Sequence, residues 1–192
     1  WNCYEKRNHL FLCQLDVQEN GMLRASADKL HDTMLQMHTD CPAKPFGGSE
    51  EFEASPDGEC LAMACRRVEE DNTQSKETSW STCVSVFVLT IPPGLSEMTQ
   101  QTAAADANLF QWQMVSATDN HACATSPSWS PDSKHLSYLT MHREKYESDH
   151  LQIYVWNRST KERTNISADI DLSFGSVLWD SEPVVTTGSG IV

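Results

Sequence analysis

The sequence predicts an all-β chain assembled from a repeated strand–turn–strand unit, and three observations predict it. The tripeptide Ser-Pro-Asp recurs as a turn signal, in "SPDGECLAMAC" from Ser55 and in "SPDSKHLSYLT" from Ser130. Each copy is followed further on by a run rich in Val, Ile, Phe and Tyr: "VSVFVLTI" (84–91) after the first and "LQIYVWNR" (151–158) after the second. These residue types fit a pleated, half-buried surface. Convincing amphipathic helices, by contrast, are few.

The elements follow in order. "NHLFLCQLD" (8–16) reads as a strand, and "SADKLHDTMLQMH" (26–38) reads better as an irregular loop between units than as the helix it could form. At Ser55 the chain turns: Pro56 presets φ, Asp57 can bond nearby backbone, and Gly58 supplies positive φ without a side-chain penalty. The strand that leaves, "CLAMAC", places Cys60 and Cys65 on opposite faces, since side chains alternate along a strand. "PSWSPDSKHLSYLTM" (127–141) repeats the pattern, with Trp129 packing beside the turn, Asp132 in the role of Asp57, and Ser133 where the first copy has glycine. That replacement weakens a turn that needs positive φ. "WNRSTKERTNIS" then reads as strand, polar turn over residues 159–162, and strand. A weaker third copy, "LWDSEPVV" from Leu178, lets Trp179 answer Trp129.

The complete unit is strand, turn, strand, long loop, strand, turn, strand. Four antiparallel strands recurring in this way predict an incomplete β-propeller with TolB/PD40/WD40-like four-stranded blades. The expected partition is the end of one blade over about 1–40, blades over 45–115 and 123–168, and the start of another over 172–192. Met63, Tyr138 and Met141 are expected to fill space between neighbouring blades. A β-sandwich with a coincidental pair of turns is the weaker alternative, because the copies share their flanking strands as well.

Composition narrows the function classes. The 192 residues include 27 Asp plus Glu against 14 Lys plus Arg, a formal net charge of −13. Such acidity disfavours nucleic acid and anionic membrane surfaces as partners, and no run approaches the length of a membrane span. The seven cysteines contain no C-x-x-C pair and the seven histidines no zinc-like spacing, so neither a structural metal nor any cofactor is expected. Most of the thiols should behave as small hydrophobes. Asn157-Arg-Ser and Asn165-Ile-Ser fit the glycosylation triplet, a pattern that arises readily by chance. The chain opens on Trp1 rather than Met and stops at "TTGSGIV", so both ends are expected to be cut.

Several longer runs carry a family resemblance: "KPFGGSEEFEASPDGECLAM" (44–63), "KETSWSTCVSVFVL" (76–89), "SPSWSPDSKHLSYLTMHREKYESDHLQIYVWN" (126–157) and "NISADIDLSFGSVLW" (165–179). In these the chain resembles the propeller of the prolyl oligopeptidase superfamily of serine peptidases, nearest its dipeptidyl-peptidase 5 type, with the acylaminoacyl peptidases close by. Ser-Pro-Asp-Gly alone is common to many propellers; "MHREKYESDHLQIYV" is far more specific.

The resemblance implies a two-part enzyme, in which a propeller selects peptide substrate for a C-terminal α/β-hydrolase domain bearing a Ser, Asp and His triad. The nucleophile of that domain would sit in a G-x-S-x-G elbow. "FGGSEE" and "TGSGIV" both fail that spacing, so no catalytic residue is expected in this chain and the hydrolase domain is expected beyond Val192. Alone, the chain should hydrolyse nothing. The full-length enzyme would release N-terminal dipeptides and could form a homodimer. By the same resemblance Glu77 falls on a glutamate that binds the substrate's α-amino group by a charge-assisted hydrogen bond, with Trp80 offering aromatic surface because Thr78 stands where the family has Tyr. Glu147 and Asp149 match residues read as structural, holding a long loop. A TolB- or WD40-like interaction module, or a degenerate non-catalytic copy, is the alternative.

Overall fold

The structure is a computed structural model that describes residues 7–37, 39–66, 83–116, 123–143, 146 and 148–181. Strands dominate it. The first two, β1 (Phe11–Val17) and β2 (Leu23–Asp32), form an antiparallel hairpin that turns at Gly21, where φ is +76°. β2 corrects one sequence expectation: residues 26–32 are strand, not irregular loop. Their backbone is claimed by pairing with β1, as Leu12 faces His31 and Cys13 faces Leu30.

The remaining eight strands form one larger sheet made of two antiparallel meanders. The first comprises β3 (Phe52–Ala54), β4 (Cys60–Arg66), β5 (Val84–Thr90) and β6 (Trp112–Met114). The second comprises β7 (Cys123–Trp129), β8 (His135–Met141), β9 (Gln152–Asn157) and β10 (Arg163–Asn165). They join where β5 meets β7 in a single parallel pairing, Val84 with Cys123. Among the described residues neither sheet closes on itself. A six-residue helix, α1 (Gln100–Ala105), lies between β5 and β6, its first turn fixed by reciprocal bonds between Thr99 and Thr102. No helix of the described residues is long and apolar enough to cross a membrane.

Two cores hold these layers, and β4 belongs to both. Its small residues Cys60, Ala62 and Ala64 face Trp129, Leu136, Tyr138 and Trp156 of the second meander, with Val86 and Val88 beside them. Its larger residues Leu61 and Met63, with Cys65, face Leu10, Met34 and Cys41 below the hairpin. Strand alternation therefore puts Cys60 and Cys65 in different cores. Cys41 and Cys65 are fully buried; burial, reinforced by Glu51, pushes the Cys41 thiol up to about 12. Trp129 meets Trp156 edge to face, with centroids 6.4 Å apart, an arrangement aromatic pairs favour.

Residues 166–181 carry no strand, yet they are tied to the second meander. The Phe174 amide donates to the Leu151 carbonyl at 3.0 Å, and the Trp179 indole donates to the Ser128 carbonyl at 3.0 Å. Trp179 also stacks on His135. The turn expected from Leu178 runs past residue 181, outside the described residues.

Candidate functional site

The densest polar cluster lies where the two Ser-Pro-Asp turns meet. In the first turn the Ser55 hydroxyl donates to Asp57 Oδ1 at 2.6 Å and accepts from the Cys60 amide at 2.8 Å. Asp57 Oδ1 also accepts from the Glu59 amide at 3.0 Å, and Gly58 takes φ of +73°. The second turn repeats this: Ser130 donates to Asp132 Oδ1 at 2.7 Å and accepts from the His135 amide at 2.9 Å, and Asp132 accepts from the Lys134 amide at 3.1 Å. Serine and aspartate side chains thus replace water at amides the turn would otherwise strand.

Three contacts join the turns across the seam. The Asp57 amide donates to the Ser133 hydroxyl at 3.0 Å. Arg158, just past β9, reaches Asp57 Oδ2 at 2.6 Å with one guanidinium nitrogen and Glu59 Oε2 at 2.7 Å with the other. The Trp129 amide donates to Glu53 of β3. The Ser55 hydroxyl foremost, then the Glu59 amide, hold the Asp57 carboxyl down at about 2, and Arg158 adds to them. Asp132 is also held below its usual range, by the Ser130 hydroxyl and the Lys134 amide. An arginine that grips two carboxylates on a neighbouring meander is a brace, and charge-assisted bonds of this length are the strong kind.

A second cluster closes the loop after β8. Asp149 accepts from the amides of His142 at 2.9 Å and Arg143 at 2.8 Å, and from the Arg143 guanidinium at 3.1 Å. Burial pushes the Asp149 carboxyl up, but these donors outweigh it and hold it below its ordinary value. Glu147, next to it in sequence, lies outside the described residues, as do Glu77 and Trp80. Asp57, Gly58, Trp129 and Asp132 are therefore brought together at the seam, and Asp149 stands apart from them. Sequence reasoning missed Arg158, Glu53 and the bond made by Ser133, because each acts on a residue some 76 to 101 positions away.

His9 Nδ1 lies 2.8 Å from Asp32 Oδ2, the orienting half of an acid–base pair. Its Nε2 is buried with no hydrogen-bond partner among the described residues, so no hydroxyl or thiol completes a nucleophilic arrangement there. Among the described residues no three His, Cys, Asp or Glu side chains converge to hold a metal. A groove of about 630 Å³ runs between β6 and β10, with Trp156, Lys161, Arg163 and Val115 on its walls. The Lys161 ammonium sits 4.9 Å over the Trp156 ring there, a cation–π contact.

No family model matches the chain. Among curated proteins, it is 26% identical to the dipeptidyl-peptidase 5 of Porphyromonas gingivalis over 83% of its own length and 20% of that protein's. It is 28% identical to the probable dipeptidyl-peptidase 5 of Emericella nidulans over 86% of its length and 21% of that protein's. The dipeptidyl-peptidase 5 of Schizosaccharomyces pombe matches at 25% identity over 93% of this chain and 22% of its own. The chain thus spans about one fifth of the length of the curated relatives it matches. Over most of its own length, this chain is similar to one part of the dipeptidyl-peptidases 5.

Proposed function

We propose that the chain forms part of the substrate-selecting propeller of a serine exopeptidase of the dipeptidyl-peptidase 5 type, and that it carries no catalytic group itself. The observation that bears this reading is the reach of the similarity, which extends over 79–95% of the chain in several curated relatives and so takes in both meanders. The repeated turn and the core shared by the two meanders are in keeping with neighbouring blades at 45–115 and 123–168, flanked by parts of two more. On this reading the partners are a C-terminal α/β-hydrolase domain and the peptide substrate, and the whole enzyme releases N-terminal dipeptides.

Selection then falls to Glu77, whose carboxylate pairs with the free α-amino group of the substrate, beside the aromatic surface of Trp80. A charged hydrogen bond of this kind discriminates a free amine from a blocked one, since the blocked substrate leaves the carboxylate unpaired. The test is Glu77→Gln in the full-length enzyme. The KM for free-amine dipeptidyl substrates should rise while kcat is largely retained, and serine-directed inhibitors should still inactivate the enzyme. An unchanged KM would remove Glu77 from the site, and indifference to serine-directed inhibitors would overturn the peptidase assignment.

A further inference from the structure

A partly open cavity of about 160 Å³ lies beneath the hairpin, between the end of β2, the segment 33–37 that follows it, and α1. Its walls are mostly apolar: Phe11, Leu35, Met37, Ala103 and Phe110. One polar ring faces this space. His31 is only 3% exposed, lines the cavity, and has neither ring nitrogen bonded among the described residues. An imidazole buried without any partner is an exception that calls for an explanation, because buried polar atoms in folded proteins nearly always find one.

The surroundings are built firmly enough to keep the cavity open. Lys29, two residues before His31, donates to the Ser96 carbonyl at 2.6 Å and to Gln14 at 2.8 Å, which ties β2 to the segment before α1. The Trp112 indole donates to the Thr33 carbonyl at 2.8 Å, which fixes the chain just past His31. The Thr99–Thr102 capping box sets the direction of α1.

We propose that this cavity is a binding site for a small neutral aromatic molecule carrying one hydroxyl group, with His31 as its hydrogen-bond partner. The size fits: an apolar protein cavity of about 150 Å³ accepts a benzene-sized ring. The chemistry fits as well. Burial, assisted by Lys29, holds the His31 pKa below its ordinary value, so the ring is neutral and offers one donor and one acceptor. A hydroxyl is both donor and acceptor and so satisfies either tautomer, while Phe11, Phe110 and Met37 receive the ring. Anions are disfavoured by Asp32 and Asp106 on the wall. Those carboxylates give an ammonium little in return, since Asp32 already accepts from the Met34 amide and pairs with His9, and Asp106 accepts from the Asn108 amide. This site is independent of the peptidase reading.

The test is a calorimetric titration of the intact protein with phenol, benzene and benzoate, with the His31 ring nitrogens followed by NMR. Phenol should bind saturably at one site, roughly tenfold tighter than benzene for the one added hydrogen bond, and should move the His31 signals; benzoate should not compete. His31→Phe should erase the preference for phenol over benzene. Ala103→Leu, which extends a side chain into the cavity from α1, should abolish binding of both. The site is refuted if folded protein shows no saturable phenol binding, if binding survives Ala103→Leu with the His31 signals unmoved, or if a crystal soaked in phenol shows only ordered water against the ring.

Discussion

The two Ser-Pro-Asp turns have almost the same internal bonds and quite different surroundings. In each, serine bridges the aspartate and the amide five residues on, at distances that agree within 0.1 Å between the copies. The fourth position separates them. Gly58 is exposed, with open space where a Cβ would lie. Ser133 takes the same left-handed backbone, φ +58°, but is buried and accepts the Asp57 amide. A serine that looks like a weakened turn in the sequence is the group by which one turn holds the other. The motif makes the turn; its departure from the motif makes the joint.

Substitutions at the seam test that contrast, each read as the urea midpoint of the intact protein. The largest effect should come from the core both turns depend on: Trp129→Ala should destabilise by about 3–5 kcal/mol, since its indole is 4% exposed between the meanders. If it costs no more than a turn variant, the turns and not the core hold the seam. Ser55→Ala and Ser130→Ala each strand a buried or half-buried amide, and each should cost about 1–3 kcal/mol. Equal losses would mean the internal bonds dominate, and a larger loss at Ser55 would locate extra coupling at the Arg158 brace.

Arg158→Met touches only the first turn. Its pairs with Asp57 and Glu59 are partly exposed, so the loss should be about 1 kcal/mol, with the second turn undisturbed. pH provides a second view of the same site. Asp57 is held down at about 2, so its contribution is complete above the ordinary carboxylate pKa of about 3.9 and is lost as pH falls from there through about 2. Asp57→Asn should flatten the stability profile across that window, and an unchanged profile would place the acid sensitivity elsewhere. The smallest effects belong to the fourth position. Gly58→Ser should cost about 1 kcal/mol, because a side chain there adopts the left-handed region and finds no partner. Ser133→Gly should be close to neutral, since relief of that conformation offsets the lost bond to Asp57. A clearly destabilised Ser133→Gly would make the bond worth more than the strain.

How much of this was legible in the sequence depended on the range of the forces involved. β5 and β9 were readable because dense β-branched and aromatic runs are local signals, β4 and β8 because each leaves a Ser-Pro-Asp turn, and all-β architecture followed. Residues 26–38 misled because Leu30, Met34, Leu35 and Met37 are spaced ambiguously, and pairing with β1 decided the matter. β6 has three residues and α1 six, too few for any periodicity. In the candidate site, the aspartates of the turns stood out by motif. Arg158 did not, since nothing near "VWNR" shows that its guanidinium meets a turn 101 residues earlier.

β4 sorts its side chains by parity. Its odd and even positions are committed to different cores, small residues toward one and larger residues toward the other, with Cys60 opening the small series and Cys65 closing the large one. Parity along this strand therefore carries information that identity does not. A one-residue insertion or deletion between Glu59 and Arg66 would exchange the two sets, driving Leu61 and Met63 against Trp129 and Tyr138 while leaving alanines to face Met34. An overfilled layer and a hollow one would arise together, so a single indel here should be far more damaging than any single substitution in the strand.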